Sequence, residues 1–182
     1  VENPQKVAGG ELVSVFQPSF ADNGELYFVA DPEDWWNLYA WNPTRPGDGV
    51  RAVHTGAREF GRPQWTFGMR TYAFRDGRIL ANYCERGRWL LGWVGLDDGT
   101  ITPLDTKFSE IDAFAFGTDS LFVLGGGPDR LTALERVDLD TGSTETLQVS
   151  SSIAVSQKWV SVPEPVTFPT SEGDVAHGYF YA

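Results

Sequence analysis

The sequence predicts an all-β fold, a partial β-propeller of about three four-stranded blades followed by a β-hairpin. Three observations carry this. The apolar runs are short and are separated by Gly, Asp, Asn and Pro, with 20 glycines and 11 prolines in 182 residues, and helical periodicity is almost missing. Turn signals recur at Asp22-Asn23-Gly24, Arg75-Asp76-Gly77, Asp97-Asp98-Gly99 and Asp140-Thr141-Gly142. Asp and Asn side chains bond to their own backbone there, and Gly accepts positive φ. Finally, the pattern repeats. Leu38-Tyr39-Ala40-Trp41, Leu90-Leu91-Gly92-Trp93 and Leu134-Glu135-Arg136-Val137 align, with 52 and then 44 residues between their first leucines. A spacing of that size fits one blade.

The elements follow in order. Residues 1–11 read as the end of a preceding blade or a linker. The blade at 12–59 takes strands Ser14–Phe16, Leu26–Val29, Leu38–Trp41 and Ala52–His54. It is long mainly because its third turn holds Pro43-Thr44-Arg45-Pro46-Gly47-Asp48-Gly49. The blade at 63–106 takes Thr71–Phe74, Ile79–Tyr83, Trp89–Val94 and Thr100–Pro103. The blade at 108–150 takes Ala113–Phe116, Ser120–Leu124, Leu131–Asp138 and Glu145–Val149. Residues 151–164 read as a linker or closing strand. The segment 165–182 reads as a hairpin around Thr170-Ser171-Glu172-Gly173-Asp174. Three blades cannot close a ring, and there is no initiator Met, so the expectation is a piece of a larger propeller.

Composition narrows the function. With 41% apolar residues the chain can build a core, and a net charge of −11 argues against nucleic-acid or anionic-membrane partners. Eleven of the 14 basic residues are arginine. Cys84 stands alone and His54 and His177 are far apart, so no internal disulfide, zinc spacing or other cofactor site is expected. No signal peptide or 18-residue apolar run is present, and a cytoplasmic location is expected. Gly125-Gly126-Gly127-Pro128 lacks the ending of a phosphate loop and reads as a strand-to-strand loop. Cys84 reads as a small buried hydrophobe and His177 as a structural histidine. Glu11, Glu59, Glu110 and Asp112 read as partners of Arg58, Arg62, Arg70 or Arg75 between blades. A carboxylate pair for glycoside hydrolysis needs a spacing in space that sequence does not give.

A resemblance adds to this. Leu26-Tyr27-Phe28-Val29-Ala30-Asp31 followed by Trp35-Trp36-Asn37-Leu38-Tyr39 is similar to a blade of the prolyl-oligopeptidase-type serine peptidases. The dipeptidyl-peptidase and acylaminoacyl-peptidase-like members look most alike. Glu59-Phe60-Gly61-Arg62-Pro63-Gln64-Trp65, Phe67-Gly68-Met69 and Tyr72-Ala73-Phe74 continue the likeness. Pro163-Glu164-Pro165-Val166-Thr167-Phe168-Pro169-Thr170, with Gly173, Ala176, His177 and Tyr179–Tyr181, resembles the junction where that family enters its α/β-hydrolase domain. The likeness runs from about Gly9 to Ala182. It implies that the terminal hairpin begins a hydrolase domain carrying a Ser-Asp-His triad, with the serine in a G-x-S-x-G elbow. No G-x-S-x-G occurs here, so no catalytic residue is assigned.

The resemblance implies a gating, substrate-restricting segment of a peptidase that cleaves short peptides or amino-acid amides from the N-terminal end. Its partners would be the remainder of the propeller, the hydrolase domain and that small substrate. The alternative is a non-catalytic propeller module binding peptide, protein or glycan. Exposed blade edges also favour pairing into a homo-oligomer. Loops joining second and third strands share one face of a propeller. On them, Glu33, Asp34 and Glu85 are candidates for a substrate amine, Arg86 and Arg88 for a carbonyl or carboxylate, and Trp35 for a pocket wall. The competing reading makes them ordinary loop charges, inter-blade ion pairs and blade packing. Trp35 and Trp36 point opposite ways in an extended chain, so one of them is expected in the core.

Overall fold

Alternating apolar residues and Gly-containing turns produce fourteen strands in a computed structural model that describes residues 4–171 and 173–182. The first three residues of the 1–11 segment and Glu172 of the expected hairpin turn lie outside the described residues. The architecture is all-β, with three four-stranded antiparallel sheets and a final two-stranded hairpin, a partial propeller plus hairpin. The chain divides into two compact units. One holds the residues up to Glu85 together with Trp89–Thr106, the other Arg86–Arg88 together with Lys107–Ala182.

The first unit contains two sheets, each ordered as the chain runs. One is β1 (Val15–Phe20), β2 (Leu26–Ala30), β3 (Asn37–Trp41) and β4 (Val50–Ala52). The other is β5 (Tyr72–Arg75), β6 (Arg78–Glu85), β7 (Arg88–Val94) and β8 (Ile101–Leu104), with the β6–β7 tip falling to the second unit. Successive side chains on a strand face opposite ways, and β2 shows what each face meets. Tyr27 and Val29 join Leu38, Ala40, Ile79, Ala81 and Tyr83 in the main core. Phe28 and Ala30 join Tyr39 in a second cluster, covered by Val7, Ala8, Val13 and Val15 from the segment before and into β1. Both faces of the first sheet's centre are thus buried, which is why β2 and β3 are almost continuously apolar.

Polar clamps fix how these two sheets stack. The β1–β2 register is irregular between Phe16 and Ser19, and Gln17 sits there with φ 49°. Its side-chain amide donates to the Tyr72 carbonyl at 2.8 Å and accepts from the Thr71 N–H at 2.7 Å. The Tyr72 hydroxyl lies 2.6 Å from the Gln17 carbonyl oxygen and 2.9 Å from that of Tyr27. The Gln17 amide and the Tyr72 hydroxyl are thereby satisfied, which lowers the cost of burying them, whereas the buried Thr71 hydroxyl has no hydrogen-bond partner among the described residues.

The second unit contains β9 (Glu110–Phe116), β10 (Ser120–Gly127), β11 (Arg130–Asp138) and β12 (Thr144–Val149), then the hairpin β13 (Glu164–Pro169) and β14 (Val175–Phe180). Leu121, Val123, Ala133 and Val137 lie on the buried face of β10 and β11. All of β12 and β13 is exposed. In the hairpin Thr167 pairs with His177, and the Thr167 hydroxyl lies 2.9 Å from His177 Nδ1.

Three local expectations change. The first sheet's last strand is Val50–Ala52 rather than Ala52–His54. The reason is that the Val53 and His54 N–H groups both converge on the Leu38 carbonyl, ending the regular ladder. Gly125, Gly126 and Gly127 are the end of β10 rather than a loop. Register shifts occur there on both sides of the strand. A Cβ on Gly125 would stand 2.6 Å from the Glu110 carbonyl oxygen and 2.9 Å from the Phe108 ring, so the missing side chain permits a close β9–β10 approach. Cys84 is half-buried rather than buried, and its backbone bridges Glu59.

Candidate functional site

In the first unit the β2–β3 turn holds Glu33, Asp34 and Trp35. The two carboxylates are exposed, and among the described residues neither takes part in an ion pair or hydrogen bond. Asp34 has φ 65°, an uncommon but tolerated conformation for Asp. Trp35 is 40% exposed. Trp36 packs against the main core and meets Phe16 edge-on at 6.4 Å.

The segment 58–62 links this turn to the end of β6. The Phe60 N–H donates to the Trp36 carbonyl at 2.7 Å, and Glu59 and Cys84 exchange backbone hydrogen bonds at 3.1 and 2.8 Å. Glu59 accepts the Trp36 N–H at 3.1 Å. Burial pushes its carboxyl pKa up, and nearby Asp31 adds to that. Glu85 forms an ion pair with Arg58 at 2.8 Å, and Arg62 stacks 3.7 Å over the Trp89 ring. The structure therefore places Trp35 and Glu85 at the two ends of one connecting segment, with the Glu85 carboxylate already engaged by a guanidinium. Arg75 pairs with its neighbour Asp76 at 3.3 Å.

Behind Arg58 lies His54. A carbonyl can only accept, so the 2.8 Å contact to the Gly99 oxygen puts the proton on Nδ1. Nε2 then faces the Arg58 guanidinium at 3.4 Å. Burial pushes the His54 pKa down; the Gly99 hydrogen bond opposes this, Arg58 adds to it, and Glu85 opposes it. The unfolded chain thus binds this proton more readily than the folded one. The stability carried by neutral His54 is complete above the unfolded value of about 6.5. It is lost as pH falls through that value towards the lower folded one. The urea midpoint is expected to drop on going from about pH 7 to pH 5, and His54→Asn to flatten that slope. Equal slopes in both proteins would show that His54 does not carry it.

The second unit holds a cleft of about 690 Å³, within the size range of small-ligand sites. One wall is the N-terminal end of β9, with Lys107, Ser109, Glu110 and Asp112. A second is the β10–β11 turn, with Asp129 and Arg130, and a third is the hairpin side, with Pro163, Pro165, Tyr179 and Tyr181. Gly87 and Arg88 also line it. The Tyr179 hydroxyl donates to the Gly87 carbonyl at 2.6 Å. The Arg130 guanidinium lies 5.6 Å over the Phe108 ring and 4.0 Å from the buried Glu135 carboxylate. Of the residues expected at a site from sequence, Arg88 lines this cleft, whereas Arg86 is exposed at the turn with φ 50°. Spacing along the sequence does not point to Lys107, Tyr179 or Tyr181 as site residues. The signal available was that the aromatic-rich last strand alternates tyrosines at 179 and 181.

Among the described residues no group of three or more His, Cys, Asp or Glu side chains is gathered to hold a metal ion, and no helix is long and apolar enough to cross a membrane. No family model matches the chain, and no curated protein matches it. Solved structures do. A Mycobacterium tuberculosis puromycin-hydrolyzing peptidase is 26% identical with a TM-score of 0.85 over 97% of this chain. A puromycin hydrolase is 22% identical with a TM-score of 0.81, and a mutant puromycin hydrolase complexed with PGG is 22% identical with a TM-score of 0.80, each again over 97% of this chain. The chain spans 27% of the length of each of these structures. Its architecture, two blade-like sheets in one unit and a third with the hairpin in the other, is thus similar to a stretch of puromycin-hydrolysing peptidases.

Proposed function

We propose that this chain is the gating, substrate-restricting propeller segment of a prolyl-oligopeptidase-type serine peptidase that hydrolyses short peptides or amino-acid amides from the N-terminal end. The observation that supports it is the likeness to the puromycin-hydrolyzing peptidase over 97% of the chain at a TM-score of 0.85. The nucleophile and its base would come from an α/β-hydrolase domain to which the β13–β14 hairpin leads. The blades would contribute by exclusion, admitting a short or extended chain and rejecting bulky ones. The work of the segment is therefore selection rather than bond-breaking.

The test uses the whole protein that contains this chain. Rates are compared for a tripeptide and for a peptide of several tens of residues sharing its N-terminal sequence. A kcat/KM at least about tenfold higher for the tripeptide is expected. Equal values would overturn the gating role, and hydrolysis of neither would overturn the peptidase reading. In that last case the non-catalytic binding module takes its place.

A further inference from the structure

We propose that the second-unit cleft is a subsite for the free C-terminal carboxylate of a short peptide, anchored by Arg88 and Lys107. This rests on the peptidase reading and deepens it by naming a feature that makes one substrate preferred over another. Arg88 and Lys107 both line the cleft. Among the described residues, neither side chain takes part in an ion pair or a hydrogen bond. The third cation in the lining, Arg130, differs. It lies over the Phe108 ring and beside the Glu135 carboxylate, which leaves Arg88 and Lys107 as the two side-chain cations to meet a ligand.

The rest of the lining says what kind of anion fits. Glu110, Asp112 and Asp129 stand in the same walls, so a polyanion such as a nucleic acid or a polyphosphate meets as many negative as positive groups. A ligand with one carboxylate and otherwise neutral peptide groups does not incur that repulsion. Pro163, Pro165, Tyr179 and Tyr181 supply an apolar wall with hydroxyls, suited to a short backbone with small side chains. The Tyr179–Gly87 hydrogen bond at 2.6 Å fixes one tyrosine of that wall. Guanidinium and ammonium donors make charge-assisted bonds to carboxylate about twice as strong as neutral ones. A peptide that ends within the cleft is therefore favoured over one whose terminus is amidated.

The experiment compares kcat/KM of the whole protein for a tripeptide with a free carboxylate and for the same tripeptide amide. An amino-acid anilide, which has no carboxylate, serves as a third substrate. The expected result is a free-acid preference of about tenfold or more, falling towards one in Lys107→Met and in Arg88→Met and unchanged in Lys158→Met. Both cleft residues are exposed, so these variants are expected to fold, and thermal melts check this. An acid-to-amide ratio near one in the unaltered protein overturns the inference, as does a preference that survives both cleft substitutions. Anilide hydrolysis without any acid preference overturns the subsite alone. Hydrolysis of none of the three substrates overturns the peptidase reading and the subsite with it.

Discussion

Phe60→Ala is expected to lower the unfolding free energy by about 3–5 kcal/mol. Phe60 lies outside any strand, yet it is fully buried. Its ring sits 5.8 Å from that of Tyr83 and 5.3 Å from that of His54. Its N–H reaches the Trp36 carbonyl. It therefore plugs the space beside the segment that runs from the first sheet to the second. Truncation removes an aromatic payload and leaves a cavity that the surrounding strands cannot collapse into. Phe67, seven residues on, is fully exposed, and Phe67→Ala is expected to change stability by less than about 0.5 kcal/mol. Urea midpoints of the two variants decide this, since equal losses would contradict the packing described.

Gly99→Ala is the second large effect. Gly99 closes the β7–β8 turn with φ 65°, where an L-residue costs about 1–2 kcal/mol. A Cβ there would also overlap the Val53 carbonyl oxygen, which is backbone and has little freedom to move. The Gly99 carbonyl is also the acceptor for His54, so any shift of this turn disturbs a buried hydrogen bond. A loss of at least about 2 kcal/mol is expected, with strain and clash adding. Gly142→Ala is the control. Gly142 has φ 70°, but no atom lies within 4 Å of its missing Cβ, so only the conformational part is expected. Equal losses at the two glycines would show that the Val53 contact relaxes freely.

Much of the fold was legible because its causes are local. Tyr27-Phe28-Val29-Ala30 alternates between two buried faces, and each Asp/Asn-Gly signal marks a real turn. The glycines at 125–127 read as a loop from sequence because a glycine run carries the same local signal in a loop and at a bulged strand end. What distinguishes them is the approach of Phe108 and Glu110. The fourth strand ends early because the Leu38 carbonyl, far upstream in the chain, captures the N–H groups of both Val53 and His54.

The site was less legible for the same reason. Glu85 looks like a free loop carboxylate in sequence, but Arg58 engages it. Lys107, Arg88 and Tyr181 line one cleft although they are far apart along the chain. Spacing along a chain reveals turns and periods, not which distant loops converge.

The most direct test of the peptidase account is labelling of the whole protein with a fluorophosphonate that modifies activated serines. One label per chain is expected, carried by a serine outside residues 1–182, with loss of amino-acid anilide hydrolysis in step with labelling. Absence of labelling together with absence of hydrolysis would contradict it.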